Sequence, residues 1–392
     1  MDSVWKRRSL VGLLVVGVLV AALLPMSHQI GYDFKAYVVA ARDLVAGENP
    51  YHRLLVSSPD VYQGGLLRST GYVYPPLLAE LLAIPVRLGA STQVIWLGWM
   101  LLNLAAILWL GATLNQALRG SRDLVGTLAF AIAVSIPAIV IYDLSLGQAD
   151  VLMEALAVGA CALRPRHPWM AALAIGVAIA VKPTLGLILP LWIWQGDWRS
   201  ALRGALVSVG LLVVPFAIAG GQATRDYIAF FTQWSALRGD AAFVNQSLLA
   251  VLLRGLSPNA LTHPLLNAPW LVTPLRYAVM LGALVIFARA VPFRSPRLRD
   301  PRQLMASSLL ALPLIVLLSP SAEDIHHTML IAPMVGLGWL AWERGLRHLA
   351  ASWVLWGIYA LSSIPRMQEL IYPGKLFPLP GQHDPHLMTI VI

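Results

Sequence analysis

The feature that most constrains this chain is a succession of apolar runs, each able to fill much of a bilayer and closed by a short link of Arg, Pro or Gly. They fall at about 9–27, 92–114, 124–142, 149–163, 168–181, 183–196, 201–219, 271–291, 303–318, 328–342 and 349–364. Lipid offers backbone groups no hydrogen-bond partner, so such runs must be helical. Only 12% of the 392 residues are charged, against roughly 25% in a soluble domain. The expectation is an all-α, polytopic transmembrane helical bundle, one domain over 1–392, without internal repeats. A single cysteine, Cys161, excludes a disulfide framework. The net charge of +9 sits mostly in the links, where it orients helices and marks no nucleic-acid partner.

Lys6, Arg7 and Arg8 precede the first run, and no small-residue cleavage pattern follows at 25–30. We read it as a retained helix, not a signal peptide. The positive-inside rule puts the N-terminus in the cytoplasm, with the links Arg119/Arg122, Arg164/Arg166, Arg199/Arg203, Arg294–Arg302 and Arg344/Arg347. Alternation then places 28–75, 143–148, the Lys182 turn, 220–270, 319–327 and a tail, 365–392, outside the cell membrane. Residues 75–90 are apolar but too short to span comfortably, and carry Glu80 and Pro85. A crossing there would invert every later link, so this helix is expected to be re-entrant or interfacial. About eleven crossings follow.

Lys182 gives the clearest depth argument. It interrupts an apolar stretch between two basic links that both belong in the cytoplasm. The chain must go out and return, turning at Lys182-Pro183. Each arm, at 1.5 Å per residue, reaches roughly 20 Å against a hydrocarbon core of about 30 Å. The lysine is therefore sunk below the outer surface, where it costs a few kcal/mol and calls for a partner or a function. One kinked helix through 168–194 is the alternative.

Five polar islands share the outer side. The first is the stretch 31–51, in which Asp33 stands between Tyr32 and Phe34 close to the end of the first run. A carboxylate among aromatics at a membrane surface is desolvated, which favours a base's working range. We read Asp33 as the general base of a sugar transfer from a lipid carrier; a helix N-cap or an exposed loop acid is the structural alternative. The others are Leu146–Asp150, where Asp150 could instead cap a helix; Lys182-Pro183; Asn245-Gln246-Ser247, formally a sequon, leading to Arg254; and 319–330, with Glu323, Asp324, His326 and His327. Adjacent histidines on a helix point about 100° apart, which disfavours one shared metal ion and leaves a substrate or phosphate contact or an interfacial role. Together the islands offer cations for a phosphate (Lys182, Arg254, His326 or His327) and carboxylates (Asp33, Asp150) for a hydroxyl nucleophile.

The ordered motifs D-F at 33–34, G-x-N-P-Y at 47–51, Y-P-P at 74–76, G-Q at 147–148, K-P at 182–183, N-Q-S at 245–247 and S-P…H-H at 319–327 carry a resemblance. The chain resembles the bacterial polyprenol-phosphate-mannose-dependent mannosyltransferases, glycosyltransferase family 87 of the membrane-embedded GT-C class. The resemblance implies a GT-C fold, an outward-facing site, a polyprenyl-phosphate sugar donor and a lipid or glycan acceptor, with no cofactor and no bound metal. It makes Asp33, His326 and His327 the expected catalytic residues and Lys182, Gln148, Asp150 and Arg254 donor-phosphate residues. Tyr51, Tyr74, Asn245 and Gln246 fall to acceptor or loop positioning. One position departs from the pattern: Asp150 stands where the family has Asn. A carboxylate there would repel a phosphate unless protonated or paired, and Lys182 is the nearest candidate partner. The competing class is a secondary transporter or lipid flippase using Lys182 and Asp150 as substrate or proton sites.

Overall fold

The computed structural model describes residues 2–27, 29–51, 72–237, 245–259, 264–291, 293–294, 300–319, 322 and 324–346. Its elements are helical: α1 (Asp2–Ser27), α2 (Tyr32–Val45), α3 (Leu77–Arg87), α4 (Thr92–Arg119), α5 (Leu124–Ser135), α6 (Ala138–Leu146) and α7 (Asp150–Leu163). There follow α8 (Pro168–Val181), a 3-10 turn (Pro183–Leu187), α9 (Ile188–Trp194), α10 (Trp198–Leu237) and α11 (Leu248–Leu256). The last are α12 (Val272–Ala290), α13 (Pro301–Leu318), a 3-10 segment (Asp324–Leu330) and α14 (Ile331–Glu343). The last apolar run, 349–364, and the tail with His383 and His386 lie outside the described residues.

Five helical segments among the described residues are long and apolar enough to cross a membrane: Arg8–Ser27, Thr92–Arg119, Trp198–Thr232, Pro269–Ala290 and Pro301–Leu318. A sixth results if α5 and α6, bent by 80°, form one broken crossing. Of the eleven runs expected to cross, the last lies outside the described residues, and several others form helices shorter than a full span. Helices α7 and α8 have 14 residues each and α14 has 13, or about 20 Å. Their apolarity serves burial within protein: on α8, Ala171, Ala172, Ile175, Ala178 and Ala180 are fully enclosed. A helix apolar all round reads alike in sequence whether lipid or protein covers it. Helix α3, 11 residues long, is likewise too short to span; Leu77, Leu78, Ala79 and Ala83 are buried while Leu81, Ile84 and Leu88 are exposed. Residues expected to be outer loop are partly helical, since 28–75 contains α2, and 220–270 contains the end of α10 and all of α11.

At Lys182 the backbone is extended (φ −124°, ψ 91°) and the chain folds back. The Arg164 guanidinium, before α8, lies 5.1 Å from the Trp192 ring and 3.4 Å from Asp197. A single helix from 164 to 197 would hold those residues about 50 Å apart. Arg203 stacks on Trp169 at 5.4 Å, so α10 then starts again beside the start of α8. Arms α8 and α9 thus form a hairpin whose bend carries Lys182. Helix α7 joins α8 at the Arg164 end, which brings Asp150, at the start of α7, to the same level as Lys182.

Candidate active site

Two glycines set the start of α2 against the end of α6. A Cβ on Gly31 would meet the Leu146 carbonyl at 2.3 Å, and one on Gly147 would meet Phe34 and Trp96 at 2.7 Å. Gly147 also closes α6 at φ 73°, a left-handed conformation that costs other residues roughly 1–2 kcal/mol. This close approach places Asp33 beside Gln148. The N-cap of α2 is Gly31, with no side-chain cap, so Asp33 is neither a cap nor a loop acid. It lies half-buried in the first turn, where the helix dipole favours a carboxylate. Gln148 donates to its Oδ2 at 2.8 Å.

Behind Gln148 stand two phenols. Tyr37 and Tyr74 both donate to Gln148 Oε1, at 2.9 and 2.7 Å. Burial pushes the Tyr37 phenol well up, helped by Tyr74 and Asp33, so it remains a donor. The Lys182 ammonium sits 5.8 Å from the centre of the Tyr74 ring. Lys182 is buried and forms a direct ion pair with the fully buried Asp150. The N-cap of α7 is Ala149, so Asp150 is not a cap, and it has the partner that its departure from the family pattern required. One connected path therefore runs Asp33–Gln148–Tyr74–Lys182–Asp150.

The remaining site candidates make other contacts. Tyr51 donates to the Tyr74 carbonyl at 2.9 Å, and its ring packs on Tyr72 and Tyr227. Asn245 Oδ1 accepts from the Ser247 and Ala322 amides at 3.0 and 3.4 Å, and the Gln246 amide donates to the Ala322 carbonyl at 2.5 Å. Arg254 donates to the Asn245 carbonyl at 2.8 Å and reaches Gln246 at 3.4 Å. These three residues tie the start of α11 to the segment before the histidines.

His327 is buried in the 3-10 segment, which packs on α6 and α7; His326 is half-buried. Burial lowers the His327 imidazole from 6.5 to about 4. It is neutral at pH 7 and enters as a hydrogen-bonding group, not as the cation that the charge pattern offered. Between pH 6.5 and about 4 the unfolded chain takes up a proton that the folded chain refuses. Stability that is full above pH 6.5 is therefore lost on acidification, by up to about 3 kcal/mol. Thermal midpoints in detergent from pH 7 to 4.5 should fall more steeply for wild type than for His327→Gln; equal slopes would place the effect elsewhere. Glu323 lies outside the described residues. Among the described residues no group of three or more His, Cys, Asp or Glu could hold a metal ion.

Three participants escaped the sequence reading. Asp143, fully buried in α6, has Asp150 and Lys182 as electrostatic neighbours. Glu154, buried one turn after Asp150, accepts the Ala332 amide at 2.9 Å and caps the otherwise uncapped α14 from outside. Asp143 stands at the end of one apolar run and Glu154 inside the next, a signal the sequence does carry. Tyr37 carried no such mark.

Residues 72–320, more than half of the chain, match the model of glycosyltransferase family 87. This range holds Tyr74, Gln148, Asp150, Lys182, Asn245, Gln246 and Arg254, while Tyr51, Asp33, His326 and His327 lie beyond it. No curated protein and no solved structure matches the chain. With the family model matched over more than half of its length, the chain belongs to glycosyltransferase family 87 and is a membrane glycosyltransferase.

Proposed function

We propose that the protein transfers a hexose, mannose by its resemblance, from a polyprenyl-phosphate donor to a lipid or glycan acceptor at the outer face of the cell membrane. The observation that carries this reading is the path from a half-buried carboxylate, Asp33, to a buried ammonium, Lys182, through Gln148 and Tyr74. Glycosyl transfer from a phosphoester needs a base at one place and a cation at another, held in fixed relation.

In the step, the acceptor oxygen bonds to the anomeric carbon while its O–H bond breaks and Asp33 takes the proton. The bond from that carbon to the phosphate oxygen breaks, and the carrier phosphate leaves with the electron pair. Lys182 draws the phosphate, its charge shared with Asp150. Arg254, His326 and the neutral His327 belong to the surrounding wall, with Tyr51, Asn245 and Gln246 positioning the loops. Helix α3, with 11 residues, is re-entrant or lies along the outer interface. The fold is of the GT-C kind, and the N-terminus is cytoplasmic.

The test is purified full-length protein with labelled polyprenyl-phosphate mannose and a panel of glycolipid acceptors. Transfer to one acceptor, with release of polyprenyl phosphate, is the expected result. Donor left intact with every acceptor, but consumed when another polyprenyl-phosphate hexose is supplied, would replace mannose; no turnover of any such donor would remove the carrier class.

A further inference from the structure

We propose that Gln148 is the positioning residue of Asp33, its amide locked by the phenols of Tyr37 and Tyr74 in the one orientation that suits an ionised acid. This rests on the reading of Asp33 as the base, and adds to it the groups that prepare that base before substrate arrives.

The argument is one of donor count. An amide has one acceptor oxygen with two lone pairs and one nitrogen with two donors. Tyr37 and Tyr74 both donate to Oε1, at 2.9 and 2.7 Å, and so occupy both lone pairs. The nitrogen is then turned to Asp33 Oδ2 at 2.8 Å. Rotating the amide by 180° would set its carbonyl against the carboxylate and turn both phenols from donors to acceptors. That alternative suits Asp33 only when it carries a proton.

The phenols are held in turn. The Tyr37 ring is packed by Phe34, Tyr72, Tyr74 and Trp99, with centroids 5.4–6.2 Å away. Tyr74 is fixed through its carbonyl by Tyr51 and through its ring face by Lys182. Gln148, Tyr37 and Tyr74 are buried while Asp33 keeps partial access, so the clamp lies on the protein side of the carboxylate.

Other charged and titratable groups stand on the elements around Asp33. On α2 itself, Tyr32 is near enough to feel the Asp33 charge, and Lys35 is exposed. Helix α3, packed on α2, contributes Glu80, and the strand of chain before it Tyr72. From α6 comes Asp143, an acid, and beyond it Asp150, whose charge is matched by Lys182. The Gln148 amide adds to the α2 dipole in favouring the ionised form of Asp33.

The experiment is an infrared titration of the full chain in nanodiscs, with Asp33→Asn as the blank that identifies the protonated Asp33 band, alongside the pH dependence of kcat/KM. Gln148→Leu is expected to raise the Asp33 midpoint by about one pH unit, a tenfold change in proton affinity. The acid limb of the rate profile should move with it. Tyr37→Phe, which removes one hydroxyl and keeps the packing, should move both in the same direction by less, and serves if Gln148→Leu does not fold. An Asp33 midpoint unmoved in the folded variants overturns the proposal, even if Asp33→Asn is inactive. A midpoint that moves while Asp33→Asn still transfers sugar keeps the clamp and removes the base.

Discussion

Asp33→Asn is expected to fold as the wild type does and to transfer sugar about 10²–10⁴-fold more slowly, the range a positioned base contributes. The substitution keeps the shape of the side chain and can turn its own carbonyl to Gln148, which now donates to Asp33 at 2.8 Å. One charge-assisted hydrogen bond becomes a neutral one, for a stability change on the order of 1 kcal/mol. What it removes is the capacity to accept a proton from a hydroxyl. Labelled-donor turnover and the thermal midpoint, measured on the same preparation, separate the two effects. Turnover within a fewfold of wild type would exclude Asp33 as the base; a collapsed midpoint would show that the carboxylate is needed for the fold.

Lys182→Met should be the most destabilising substitution in the site. Asp150 is fully buried and Lys182 is its ion-pair partner, with Asp143 beside them. Removing the ammonium leaves the Asp150 carboxylate without its cation, beside a second buried acid and away from water, and breaking a buried pair typically costs about 3–5 kcal/mol. Replacing both partners should undo most of that loss, because matched apolar side chains carry no desolvation penalty. We expect Lys182→Met/Asp150→Leu to recover much of the midpoint lost by Lys182→Met. Donor affinity should stay weak in both, since the phosphate would find no cation. Recovery of stability together with donor binding would show that Lys182 serves the fold alone. Asp150→Asn, which installs the family's residue, should leave the lysine freer for phosphate and tighten donor binding.

Much of this was legible in the chain itself, though unevenly. Asp33, Lys182 and Asp150 stood out because ionisable groups beside or inside apolar runs have few reasons to be there. The same rule, followed further, finds Asp143 and Glu154. Tyr37 could not be found that way, because tyrosines are ordinary in membrane helices and only its partner gives this one meaning. His327 was visible, but its neutrality was not: charge state follows burial, and burial depends on which elements pack over the segment.

Composition and the spacing of apolar runs determined by themselves that this is a helical membrane protein, because backbone in lipid must form a helix or a closed barrel and long continuous apolar runs lack a barrel strand's alternation. The lysine between two basic links pointed to an excursion and return, and the Arg164 contacts with Trp192 and Asp197 decided it against one kinked helix. Tertiary structure alone decided which apolar faces are covered by protein, since lipid and protein interiors ask for the same side chains. It alone joined Gln148 to Asp33, 115 positions away, because hydrogen bonds form by nearness in space, and periodicity records only the nearness of a few residues along one helix.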